Sequence, residues 1–224
     1  TVTVRGSTIS NNSAVRQGGG IDMPWNDDSN KLVIDSSEII GNSANYRGGG
    51  VFTQADLTLR KGTEITGNRL TSDTAANCAG VYLINNRTLY VGPENAAEGQ
   101  SDTIIVRGNT TSNNVLSDLR LWDNGAENNA ASVYVYCNLS NDSEIRVVNA
   151  AKAGTQFGSA QFALTNGFSD DNAVFKADSS TLYGITDRTD PNNKTIIWAG
   201  PPIAKLTDGN GRLLYIKYYE GNAT

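Results

Sequence analysis

Three glycines set thirty residues apart, Gly20, Gly50 and Gly80, restrict this chain to a narrow set of folds. Each closes a triplet of small residues: Gly18-Gly19-Gly20, Gly48-Gly49-Gly50 and Cys78-Ala79-Gly80. Each triplet follows an Ile-x-x-Asn element: Ile9 to Asn12, Ile39 to Asn42 and Ile65 to Asn68. A weaker fourth copy runs from Val106 to Asn109, then Ser117-Asp118-Leu119. The fixed offset between the two elements argues against a flexible linker. No Gly-Lys-Ser/Thr follows the glycines to make a phosphate loop.

Each repeat carries three short aliphatic bursts bounded by turn residues, as strands are. One follows the glycines, at Ile21 to Met23, Val51 to Thr53, Val81 to Leu83 and Leu119 to Leu121. A second lies mid-repeat, at Leu32 to Ile34, Leu57 to Leu59, Leu89 to Val91 and Val133 to Val135. The third is the Ile/Val-x-x-Asn burst. No segment keeps a helical period with caps, so the expected class is all-β. Three strands per period of about thirty residues predict a β-solenoid whose turns stack in parallel about 4.8 Å apart. In that stack Ile9, Ile39, Ile65 and Val106 form an inner column. Asn12, Asn42, Asn68 and Asn109 form a corner column, where asparagine can take a left-handed backbone and bond to its neighbour. The glycines are expected where a turn is too tight for a Cβ.

Composition fits a thin fold with many turns. Of 224 residues, 38% are hydrophobic and 23 are glycine. The formal charge of −5, with no block of like charge, argues against a nucleic-acid partner. No apolar run is long enough to insert in a membrane. Thr1 opens the chain without a secretory leader, which reads as an excised segment of a longer protein. The absence of histidine excludes Ser-His and Cys-His nucleophile pairs and argues against zinc. No metal and no cofactor is expected. Cys78 and Cys137 are too few for a disulfide scaffold and read as two small buried residues, with pairing as the alternative.

The pattern Ile-x-x-Asn-x-Ala, a spacer, then Gly-Gly-Gly-Ile/Val resembles the repeats of polymorphic outer-membrane proteins and related right-handed β-helix adhesins. It covers residues 1 to about 125. Later motifs are similar to segments that follow such repeats in large surface proteins of gut Firmicutes: Ser143 to Val148, Gly167 to Asp171, and Ala204 to Asp208 with Leu213 to Tyr215. The resemblance implies a right-handed single-stranded parallel β-helix. It also implies a secreted or surface-anchored protein that binds a host glycan or glycoprotein, immunoglobulin among the candidates. A monomeric module of a longer chain is expected.

Along the chain, residues 1–148 read as regular coils, 149–200 as degenerate final coils or a cap, and 201–224 as a hairpin-like tail or the start of another module. Insertions at Pro24 to Asn30, Leu70 to Asn77, Pro93 to Ser101 and Asp123 to Ala131 map to the outer surface, often the binding side of a solenoid.

Strand alternation locates a candidate binding face. If Ile21, Val51, Val81 and Leu119 point inward, then Phe52, Tyr82 and Arg120 point outward, as do Ile84 and Trp122 two residues on. The mid-repeat strand likewise turns Tyr90 and Tyr134 outward. Trp25, in the first insertion, is a further single candidate. A row of exposed aromatics with an arginine is the composition of a binding hot spot. Aromatic ladders also stabilise neighbouring strands, and that reading stays open. A polysaccharide hydrolase or lyase needs carboxylates converging on one groove. Asp170-Asp171 and Asp27-Asp28 are the suggestive pairs, and Asp27-Asp28 lacks the calcium-loop signature. No catalytic residue is assigned. A non-catalytic binding module is the leading expectation, with a glycan-cleaving enzyme or a ligand-free rigid spacer as alternatives.

Overall fold

The structure, a computed structural model, describes residues 1–24, 29–73, 77–84, 86–121, 131–148, 156–161, 174–177, 183–186, 195–199, 202–207 and 213–218. Their regular elements are strands, and the first nineteen pair only in parallel with one another. Each strand pairs with its counterpart one repeat later, so each repeat forms one layer. Eighteen strands join a single continuous sheet.

Three faces run along the stack. The first contains Val2–Arg5, Lys31–Asp35, Asp56–Arg60, Thr88–Val91, Ser132–Val135 and Gln156–Ala160. The second contains Thr8–Ser10, Glu38–Ile40, Glu64–Thr66, Ile105–Arg107, Glu144–Val148 and Phe175–Ala177. The third contains Ile21–Met23, Val51–Thr53, Val81–Leu83 and Leu119–Arg120. In the fifth layer one strand serves two faces, because Val147 and Val148 also pair with Leu119 and Arg120.

The inner columns follow from alternation. Ile9, Ile39, Ile65, Val106 and Ile145 are in register, and the last four are fully or almost fully buried. Leu32, Leu57, Leu89 and Val133 form a second column, and Val51, Val81, Leu119 and Val147 a third. All belong to one apolar cluster. Fully burying each such side chain contributes about 1.5–3 kcal/mol, which a single layer cannot obtain alone.

The asparagines form a hydrogen-bonded ladder. Asn42 Oδ1 accepts from the backbone N–H and the carboxamide of Asn12, both at 3.0 Å. Asn68 Oδ1 does the same for Asn42, and Asn109 Oδ1 for Asn68. The carboxamides of Asn42, Asn68 and Asn109 also donate to the carbonyls of Ile9, Ile39 and Ile65. The left-handed residue is not the ladder asparagine but the one before it: Asn11, Gly41, Gly67 and Gly108 have φ of 57°, 66°, 63° and 70°. The ladder asparagines keep ordinary backbone because their task is the bond between layers, while the preceding residue makes the turn.

The third glycine of each triplet has a different cause from a tight turn. A Cβ on Gly80 would lie 2.7 Å from Asn109 Nδ2 and 2.2 Å from the Asp118 carbonyl. The next layer's asparagine fills the space that a side chain would need. Cys78, by contrast, takes the left-handed place of Gly18 and Gly48, with φ of 53°. Leu70, read from the sequence as the start of an insertion, instead belongs to the short strand Arg69–Leu70, which pairs with Ser43–Ala44, and is fully buried.

Parallel stacking ends in an antiparallel unit. Thr195–Ala199 runs antiparallel to both Gln156–Ala160 and Tyr183–Thr186. Trp198 lies 4.2 Å from Phe157, ring centroid to centroid, and Ile196 and Phe175 are fully buried with it. Pro202–Thr207 and Leu213–Tyr218 form a separate antiparallel pair.

Candidate functional site

The first face carries the most developed aromatic surface. Leu89 and Val91 turn into the core, so Tyr90 turns out; Val133 and Val135 do the same for Tyr134. Tyr90 and Tyr134 are register partners. Tyr136, just past the strand, completes the group. Its ring stacks on Tyr90 at 5.6 Å and meets Tyr134 edge-on at 4.8 Å. All three are half-buried, so each keeps an accessible edge. Burial, with Glu94 and the other two tyrosines nearby, raises the Tyr136 phenol above its ordinary pKa, so it remains a neutral donor. Beside Tyr90 and Tyr134 lies a cleft of about 440 Å³, with Thr88, Gln156, Phe157 and Ser159 on its walls. Gly158 takes the next inward place in the Leu89–Val133 column, where a Cβ would lie 2.5 Å from the Val133 carbonyl, and Ser159 follows Tyr134 on the outer face.

The third face differs from the exposed row expected there. Phe52 and Tyr82 are in register and their rings stack at 5.6 Å, but they are only 2% and 6% exposed. They form a satellite cluster with Cys78 and Val148, separate from the main core. The guanidinium groups of Arg120 and Arg47 lie 4.5 Å and 4.9 Å from the Tyr82 ring centroid. The ladder reading therefore describes Phe52 and Tyr82 better than a contact surface does. Ile84 and Arg120 are half-buried on the same face. Tyr46, which sequence reasoning missed, is 46% exposed, with the Arg47 guanidinium 4.7 Å from its ring. Trp25 and Trp122 lie outside the described residues, as do Asp27, Asp28, Asp170 and Asp171. The structure thus brings Tyr90 and Tyr134 together on one face, and Phe52, Tyr82 and Arg120 on another.

Tyr136 was missed because it falls outside the strand alternation that selected Tyr90 and Tyr134. Cys78 and Cys137 are both free and buried. Burial, and then the charge of Asp102, push the Cys137 thiol up to about 12. Among the described residues, no group of three acidic or cysteine side chains could hold a metal ion, and no helix is long and apolar enough to cross a membrane. No protein-family model matches the chain, and neither curated proteins nor solved structures give a match.

Proposed function

We propose that this chain is a non-catalytic binding module of a bacterial surface protein, built as a right-handed single-stranded β-helix, that holds a host glycan on its first face. The observation that carries this reading is the Tyr90–Tyr134–Tyr136 group beside an open cleft. Phenol rings offer flat apolar surface with a polar tip, at low cost in conformational entropy. Sugar rings need both: a flat partner for their C–H faces and donors for their hydroxyls. Gln156, Thr88 and Ser159 supply further polar groups at the walls. Glycans of host glycoproteins, immunoglobulins included, present such rings in accessible chains. The stacked scaffold holds Tyr90 and Tyr134 on strands with Tyr136 packed against both, so little order is lost on binding.

The test is a glycan array, and a pull-down from serum and mucus, with wild type and Tyr134→Ala. The expected result is retention of neutral glycans by wild type, weakened about tenfold in the variant. Retention of no glycan by wild type, or undiminished binding by a folded Tyr134→Ala, overturns the reading.

A further inference from the structure

The second face carries a column of cations in the upper layers. Thr66 pairs with Arg107, and Arg146 pairs with Lys176. Ile105 and Val106 pair with Glu144 and Ile145, so Arg107 and Arg146 follow in the same register. Three successive layers therefore place Arg107, Arg146 and Lys176 outward, one per step of about 4.8 Å. One carboxylate lies among them. Glu144 accepts from Arg146 Nε at 2.5 Å and from Arg107 Nη1 at 3.3 Å, and Lys176 Nζ is 3.8 Å away.

That arrangement has a surplus of donors. Each guanidinium has five N–H groups. Among the described residues, Arg107 and Arg146 each donate one hydrogen bond, to Glu144. Burial would raise the Glu144 pKa, yet the Arg146 hydrogen bond and the charges of Arg146, Lys176 and Arg107 lower it, as a locally positive field does. Arg107 remains 52% exposed. Arg107 and Arg146 border a cleft of about 620 Å³ whose wall includes Ile105, Leu116, Gly67 and Gly108, and Lys176 follows Arg146 in the next layer. Glu64, one layer below Ile105, bounds the opposite end, so the charge is polarised along the stack.

We infer that this cleft binds an acidic oligosaccharide, sulfated or uronic, with its anionic groups on Arg107 and Arg146 and its chain running on toward Lys176 in the next layer. The spaced cations suit a chain whose charges recur at about the layer repeat, roughly 5 Å. The apolar and glycine-lined wall suits a sugar ring. Among the described residues, no aromatic side chain lines the cleft for base stacking. The site is on a different face from the tyrosines and does not depend on them.

Glu144 is the internal competitor for the ligand, which gives the test two signs. Labelled dextran sulfate oligosaccharide, neutral dextran and single-stranded oligonucleotide are titrated against wild type, Arg107→Ala, Glu144→Gln and Tyr134→Ala, with melting recorded for each. Wild type is expected to bind the sulfated chain with affinity falling as salt rises, and any neutral dextran it binds is expected to be lost in Tyr134→Ala and kept in Arg107→Ala. Arg107→Ala weakens it about tenfold, Glu144→Gln tightens it, and Tyr134→Ala leaves it unchanged. Equal binding of the oligonucleotide, or neutral dextran binding that Arg107→Ala weakens as much as it weakens the sulfated chain, overturns the inference. So does full affinity in Arg107→Ala, or unchanged or weaker binding in a folded Glu144→Gln. Failure of Tyr134→Ala to matter here leaves the first-face reading untouched, because that reading concerns neutral glycans.

Discussion

Asp118 ends the asparagine ladder: its Oδ1 accepts two 2.6 Å hydrogen bonds from Asn109, one from the backbone N–H and one from the carboxamide. It also occupies the register of Gly80, one residue before the paired Val81 and Leu119. In lower layers that position is glycine because the next asparagine's carboxamide fills the space. At Asp118 no asparagine follows, and the chain supplies the acceptor from its own side chain. Asp118→Ala leaves two buried donors of Asn109 without this acceptor. The expected cost is about 2–5 kcal/mol, read as a lowered urea midpoint, with Asp118→Asn retaining most of the stability.

Gly80→Ala forces a methyl against Asn109 Nδ2 and the Asp118 carbonyl. A loss of about 1–3 kcal/mol is expected, as for overpacked cores. Cys78→Gly relieves a left-handed non-glycine residue but removes a side chain packed in the Phe52–Tyr82 cluster, so its effect should be smaller. Thermal melting of the two variants side by side checks the order.

Stability should fall in acid through two carboxylates. Burial raises the Asp35 pKa, but the Ser36 hydrogen bond and the charges of Arg60, Lys61 and Arg5 outweigh it and hold the pKa below its ordinary value. Glu144 is lowered in the same way by its three cations. A carboxyl with a depressed folded pKa adds stability that is complete above its unfolded value, about 3.9 for Asp and 4.3 for Glu, and is lost as pH falls through the folded value. These two groups therefore contribute evenly from pH 8 to about 5 and less below about pH 4. Urea unfolding at pH 7 and pH 3 should show Asp35→Asn well below wild type at pH 7, with the gap closing at pH 3.

Cys137 should resist thiol reagents. With its pKa at about 12 and its sulfur buried, almost no accessible thiolate exists at pH 8. Cys78 is fully buried as well. Labelling of native protein should be slow at both, and complete within the mixing time in denaturant.

The columns were legible in the sequence because one-residue alternation and a constant repeat leave a single self-consistent register: Ile9, Ile39, Ile65 and Val106 align as the spacing predicts. Exposure was less legible. Alternation turned Phe52, Tyr82 and Arg120 away from the main core, yet said nothing of Arg47, Cys78 and Val148, which pack with the two rings and help to bury them. Tyr136 escaped because it lies just past the strand that holds Tyr134. The Arg107–Arg146–Lys176 column escaped because its grouping depends on pairings beyond the regular repeats, where Glu144–Val148 joins two faces and the glycine triplets are gone.

The most direct measurement of the layered register is disulfide trapping across it. Glu64 and Ile105 are paired neighbours on the second face, whereas Arg107 pairs with Thr66. Paired positions in adjacent strands lie about 4.8 Å apart, within the Cα span that a disulfide bridges. On mild oxidation Glu64→Cys/Ile105→Cys should cross-link within the monomer, and Glu64→Cys/Arg107→Cys should not. Equal cross-linking of both pairs, or of the second alone, would contradict the stacked columns on which both proposed sites rest.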